Sequence, residues 1–262
     1  MKKCGWVVLC VLAASVACAN TAFAGGWGPF FSWARTEPKA GFPGVFQDLV
    51  LEINKDNGYP VPEDQLKNAL DSGDFDLKVD HLTFGVLYDS APSRDKLFNY
   101  RMTLGWDIAT DVTVRKGTIL GVDFPIDIDL DESSNYGFGW KNTFGFGIIR
   151  TDFIKWWAGP ALNLNFNYWD SNGTKAATFG IGGGAETGVN IHIAPKYSIC
   201  LGGGILWNAF GYGIGLNDEM GSFVWGNGPF YFIQVAGLYH TGEDQTAWQQ
   251  AAVAPPQVAP GQ

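Results

Sequence analysis

The sequence predicts an all-β protein: a closed antiparallel transmembrane β-barrel of eight strands, with ten as the alternative and a short helix in a long first loop. Three observations lead there. Apolar and polar residues alternate strictly through long segments between Leu82 and Thr241, the connections between those segments are short and long in turn, and aromatics make up 15% of a chain that also holds 35 glycines. That aromatic content argues against disorder, which requires few aromatics.

The N-terminus reads as a leader. Lys2 and Lys3 precede an apolar run from Trp6 to Val16, and Ala22-Phe23-Ala24 supplies a small-x-small cleavage pattern. The run is shorter than the ~20 residues of a spanning helix, so residues 1–24 are expected to be a signal peptide cleaved near Ala24. A lipoprotein site at Cys18 is the weaker alternative, because Ser15-Val16-Ala17 lacks the preferred Leu. Cleavage removes two lysines and no acid, taking the net charge from −9 to −11, and it removes Cys4, Cys10 and Cys18. Cys200 is then a lone thiol in an oxidising compartment, either shielded or inert. The acidic balance excludes a nucleic-acid partner, since phosphate binding needs clustered Lys and Arg.

The strands follow from a period of two. Leu82, Phe84, Val86 and Tyr88 oppose His81, Thr83, Gly85 and Asp89. Phe98, Tyr100, Met102, Leu104, Trp106 and Ile108 oppose Asn99, Arg101, Thr103, Gly105 and Asp107. Tyr136 to Ile148 sets aromatics against glycines, Lys141 and Thr143. Ile154 to Tyr168 sets them against Lys155, Gly159 and three asparagines, and Phe179 to Ile193 against Gly, Glu186, Asn190 and His192. The last two segments run from Tyr197 to Trp207 and from Tyr231 to Tyr239. A soluble β-sandwich also alternates, but its strands average ~5–6 residues. Such strands in hydrocarbon must close on themselves so that every backbone group is paired. The segment from Tyr231 to Tyr239 rises ~26 Å along the strand, or ~20 Å across a membrane at the usual tilt, which fits an apolar band ~25 Å tall.

Seven strands are placed at 81–89, 97–109, 136–149, 153–168, 176–193, 197–212 and 229–241, and Gly26 to Arg35 supplies the eighth. Arg150-Thr151-Asp152, Ser90 to Lys96 and Ala194-Pro195-Lys196 are the short turns, expected on the periplasmic side. Asp111 to Asn135, Asp170 to Thr174 and Gly213 to Ser222 are the expected outer loops. Thr36 to Asp76 becomes a long first loop. Within it Gln47 to Asn54 could add a strand, and Pro62 to Ser72 reads as a helix started by Pro and stopped by Gly73. Val112 to Leu130 could hold a hairpin projecting beyond the bilayer. The barrel then spans 25–241, and 242–262 is an Ala/Pro-rich flexible periplasmic tail.

In these features the chain resembles the OmpA-like superfamily of small outer-membrane β-barrels, over roughly Gly26 to Thr241. The resemblance lies in the leader, the alternation, the turn and loop asymmetry and the aromatic final strand from Phe230 to Tyr239. It implies residence in the outer membrane of a Gram-negative bacterium and delivery by the barrel assembly machinery. The implied partners are outer-membrane lipids and lipopolysaccharide, and the implied state is monomeric. The chain departs from full OmpA proteins beyond Thr241, where no peptidoglycan-binding domain is expected.

Two sets of residues are candidates for function. Asp89, Arg101, Asp107, Lys141, Lys155 and Glu186 fall on the inward face as a charge network that plugs the lumen, since an ionised group there needs a partner. The alternative is a gated pore dependent on the same pairs. Tyr88, Trp106, Trp140, Trp156, Tyr168, Tyr197, Trp207, Tyr231 and Tyr239 form the aromatic girdle. His192 and Ser198 flank one short turn as inward cross-strand neighbours with His240 near by, superficially like an acyl hydrolase. The chain lacks the His-Ser-Asn run of lipid A deacylases, so no catalytic residue is expected. The nine acids between Thr36 and Asp76, and Asp123 to Glu132, match no calcium-loop spacing, so neither a metal nor any other cofactor is expected. The function expected is a structural or surface-interaction role in the envelope, then a narrow porin-like channel for small solutes, and last a lipid A-modifying enzyme.

Overall fold

The computed structural model describes residues 25–41, 51, 55, 62–92, 96–119, 122–129, 134–171, 174–194, 196–216 and 219–241. The expected leader, the expected tail and nearly all of the possible strand from Gln47 to Asn54 lie outside the described residues. Ten strand segments are present among them: β1 (Gly25–Thr36), β2 (Lys39–Gly41), β3 (Asp74–Asp89), β4 (Phe98–Ile119), β5 (Val122–Asp129), β6 (Ser134–Arg150), β7 (Ile154–Ser171), β8 (Thr174–Ala194), β9 (Tyr197–Leu216) and β10 (Glu219–Thr241). Eight of them close a ring in the order β1-β3-β4-β6-β7-β8-β9-β10, with β1 pairing back onto β10. All pairings are antiparallel, and the closing register runs from Gly25↔Thr241 to Thr36↔Phe230.

The two remaining segments settle the strand count. β2 wedges between β10 and β3 beyond the end of β1, pairing Ala40 with both Gly226 and Phe75. It therefore prolongs the short β1 stave after a break at Glu37-Pro38. β5 folds back on the outer half of β4 as a hairpin, from Thr113↔Asp129 to Ile119↔Val122, while the inner half of β4 pairs with β6. The ring has eight staves, and the ten-stranded alternative counts two accessory segments that do not enlarge it.

Several expected outer loops prove to be strand. β4 continues to Ile119, β7 and β8 meet between Ser171 and Thr174, and β9 and β10 run to Leu216 and from Glu219. β3 likewise begins at Asp74, ahead of the expected 81. The physical reason is that beyond the bilayer water replaces lipid outside the barrel, so the outward face turns polar. Between Asp74 and Asp80 the acids and Lys78 alternate with Phe75, Leu77 and Val79, and Val79 is buried. With 23 residues, β10 is ~75 Å long, far more than a bilayer core requires. Helix α1 (Glu63–Asp71) lies in the first loop where expected. Glu63 and Asp64 complement the positive end of its dipole, Ala69 and Leu70 are buried, and Ser72 Oγ donates to Ala69 O at 2.9 Å to finish it.

Three Gly-Pro pairs occupy strands of the ring: Gly28-Pro29, Gly159-Pro160 and Gly228-Pro229. A proline has no N–H for the ladder. At each pair a neighbouring carbonyl comes close on the glycine side. A Cβ on Gly28 would stand 1.5 Å from Gly237 O, one on Gly159 1.9 Å from Phe144 O, and one on Gly228 2.4 Å from Glu37 O. Glycine is needed there because the approaching atoms are backbone and cannot move aside.

Burial along the staves alternates residue by residue, as from Tyr231 to His240. Phe31, Phe84, Phe146, Leu162, Ile181, Leu201, Ile205, Ile233 and Val235 form part of a continuous exposed apolar outer face, far larger than a water-soluble monomer tolerates. This belt lies in lipid. On the outward face beyond it, Arg35 and Asp80 form a salt bridge at 2.8 Å, and Lys78 reaches Asp80 at 2.8 Å. Burial is the largest single influence on the Asp80 carboxyl and pushes its pKa up. The hydrogen bonds and charges of Arg35 and Lys78 together outweigh it and hold the group below its ordinary value. Val235 sits midway between Tyr231 and Tyr239. Val235→Arg is expected to destabilise the folded barrel by roughly 2–4 kcal/mol, read as a lowered urea midpoint in lipid vesicles.

Candidate functional site

The inward side chains build the lumen in layers, beginning at the end that carries the short turns. First comes Ser198, whose Oγ lies 2.7 Å from His192 Nδ1 and 2.7 Å from His240 Nε2. His192 and Ser198 are in cross-strand register as expected, and β10 brings His240 to them. One hydroxyl donates to a single acceptor, so it donates to one ring and accepts from the other. Ser198 is 1% exposed, which leaves its oxygen no approach for a substrate carbonyl. Glu186 is not at this layer.

The second layer is a buried ion pair with many partners. Arg101 Nη1 donates to Asp89 Oδ2 and, at 3.3 Å, to Asn190 Oδ1, while Nη2 donates to the Cys200 sulfur at 2.9 Å. Its guanidinium lies over the Trp157 ring at 4.1 Å. Asp89 also accepts from Asn99 Nδ2, Asn190 Nδ2 and the Ala91 N–H. The carboxylate is thus saturated, which is the condition under which a buried charge is tolerated. Lys155 donates from Nζ to the carbonyls of Ala91 and Lys96, and Asn190 reaches Pro92 O at 3.2 Å. The plug therefore ties down the turn between β3 and β4 that closes the barrel end. Cys200 is fully buried and so is shielded.

The third layer joins Lys141 and Glu186 at 3.0 Å. Gln234 bridges them, donating to Glu186 Oε1 at 2.8 Å and accepting from Lys141 Nζ at 3.0 Å. Thr143 donates to the other Glu186 oxygen, and the Lys141 ammonium stands 3.5 Å from the centre of the Phe232 ring. Beyond this layer lies a cavity of about 60 Å³. Asp107 lines this cavity together with Lys141, accepting from Thr83 Oγ1 at 2.6 Å and facing His81 Nδ1 at 3.2 Å. Of the six expected charges, Asp89 and Arg101 therefore meet as one ion pair and Lys141 and Glu186 as another. Lys155 secures backbone, and Asp107 belongs to the outer cavity.

The lumen is less polar than alternation implies. Phe30, Leu87, Trp157, Cys200, Ala236 and Leu238 form one buried cluster, and Ala34, Ala161, Leu206 and Phe232 another. Trp157 is the largest fully buried side chain among the described residues. Its inward position is readable in the parity of Trp156-Trp157, since neighbours in a strand face opposite ways. Inward glycines are slots for long neighbours. A Cβ on Gly182 would meet Asn208 and Asn163, one on Gly137 would meet Asp107 and Asn167, and one on Gly145 would meet Asn99.

The expected girdle residues lie on the outward face, with one qualification of position. Tyr88 is 5% exposed, because Trp27 at 4.5 Å and Tyr100 at 6.4 Å cover it. Tyr197 and Tyr239 pair across strands at 5.3 Å, and Trp140, Trp156, Trp207 and Tyr231 are exposed. Trp106 packs on Phe138 at 6.0 Å. Tyr168 pairs in register with Tyr136.

The molecule thus combines a ring without edges, an apolar outer belt and a lumen filled by side chains. The fold is that of an outer-membrane β-barrel. Solved structures to which the chain is similar include OprG of Pseudomonas aeruginosa, at a TM-score of 0.47 and 10% identity over 84% of this chain and 99% of that one. The Neisserial surface protein NspA aligns at 0.31 and 13% over 79% and 96%. The outer membrane protease OmpT of Escherichia coli aligns at 0.32 and 8% over 85% and 100%. At such identities the likeness is one of fold alone. No protein-family model matches the chain, and no curated protein matches it in sequence.

Removing one partner of the Asp89–Arg101 pair leaves a buried charge uncompensated. Asp89→Asn and Arg101→Met are each expected to cost roughly 3–5 kcal/mol, with much of the loss recovered in the double variant. A double-mutant cycle of urea unfolding in vesicles measures this.

Proposed function

We propose that this protein is a non-enzymatic outer-membrane barrel that serves envelope integrity or surface interaction through its outer parts. The observation that carries the reading is the closed inner half of the lumen. Asp89, Arg101, Lys155, Trp157, Leu87 and Leu238 are at most 2% exposed there, and the polar ones bond to their neighbours and to the backbone of the turn. An eight-stranded barrel is just wide enough for side chains to fill, and these fill it. This agrees with the OmpA-like resemblance at the level of architecture. The partners that fit are outer-membrane lipids and lipopolysaccharide around a single barrel, with the barrel assembly machinery acting during biogenesis.

The second reading is a narrow channel for small solutes, favoured by the partly open cavity on the outer side of Lys141. A lipid A-modifying activity finds least support, because Ser198 is enclosed and Glu186 is committed to Lys141, Thr143 and Gln234. Planar-bilayer recording separates the first two. The native protein is expected to give no steady conductance, and Arg101→Ala combined with Lys155→Ala is expected to open a measurable one. Steady conductance from the native barrel would instead favour the channel.

A further inference from the structure

Asn163, Asn165 and Asn167 occupy alternate inward positions of β7 and line the outer cavity with Ser32, Phe30 and Phe230. Asn163 is 3% exposed, yet neither atom of its carboxamide has a hydrogen-bond partner within the protein, and Asn167 Oδ1 has none either. Asn208, fully buried across Gly182 from Asn163, is likewise unpartnered at both atoms. A buried amide left unpaired is costly. Asn163 and Asn167 line the cavity itself, so a ligand there can supply their missing partners.

The charged groups at the cavity are already satisfied. Lys141 is held by Glu186 and Gln234, and Asp107 by Thr83 and His81. The unsatisfied groups at the cavity are therefore neutral, and each carboxamide offers an acceptor beside a donor in one plane. Two adjacent hydroxyls, each donor and acceptor, are the complement of that arrangement. Phe30, Phe230 and Phe232 give the opposite wall an apolar surface for C–H groups. At the ~15 Å³ that one water needs, the cavity has room for about four waters, the bulk of a three-carbon polyol. It is partly open, so a larger molecule could insert one end.

We infer that the outer half of the lumen is a binding site for a neutral vicinal diol, with the carboxamides of Asn163 and Asn167 as its recognition groups. The diol belongs either to a free small polyol or to the terminal sugar of a glycan. The site rests on the lumen being closed toward the periplasm, and conductance tests that closure separately from binding.

The experiment is side-chain amide NMR of the full-length barrel in nanodiscs, titrated with glycerol, with methyl glucoside and with 1,3-propanediol. Saturable shifts of the Asn163 and Asn167 amides with glycerol, weaker by tenfold or more with 1,3-propanediol, support the site with a free polyol as its ligand. The same shifts with methyl glucoside alone support it with a glycan end as the source. Asn163→Ala is expected to weaken binding about tenfold, equivalent to about 1.4 kcal/mol, and the wild-type titration decides the matter if that variant does not fold. No saturable shift with either diol, or equal response to 1,3-propanediol, overturns the inference.

Discussion

The constraint on which the structure depends is the pairing of β1 with β10. In hydrocarbon an unpaired backbone group costs several kcal/mol, so a sheet whose end staves failed to meet would be excluded from the membrane. The register from Gly25↔Thr241 to Thr36↔Phe230 joins the first stave to the last and removes both edges at once. Once the ring is closed, its number of staves sets the lumen width, and that width sets which side chains can stand inside.

The interior follows from this confinement. Large inward groups such as Arg101, Trp157 and Phe232 must be matched by small ones, so Gly137, Gly145 and Gly182 face their neighbours' long side chains. Confinement also explains why the buried carboxylate toward the short-turn end is so thoroughly bonded, with Asp89 accepting from four residues. The plug and the wall support one another, because Lys155 and Asn190 bond the backbone of the turn between β3 and β4. The same polarity of construction separates a densely packed inner half from an outer half in which cavity-lining amides remain unpaired.

The Gly-Pro pairs show how a ladder tolerates interruptions. Pro29, Pro160 and Pro229 stand on the outward parity, and the glycine before each lets the neighbouring backbone close in. Two of these pairs, Gly28-Pro29 and Gly228-Pro229, fall on the closing staves themselves. The wall is thus continuous without being a uniform ladder.

Alternation of apolar and polar residues was enough by itself to establish strands, lipid-facing positions, the charged inward set and the juxtaposition of His192 with Ser198, because parity within a strand is a local property. It could not show that β9 and β10 run on past the bilayer, since outside lipid the outward face turns polar and the lipid-facing period no longer marks the strand. Nor could it tell whether β2 and β5 join the ring, which depends on pairings between distant segments. Partner choice inside the lumen was also decided only by the fold. Arg101 meets both Asp89 and Cys200, and Lys141 finds Glu186 across the barrel, because strand tilt and ring closure bring those positions to one level. Sequence determined which way each side chain points; only the closed ring decided what it meets.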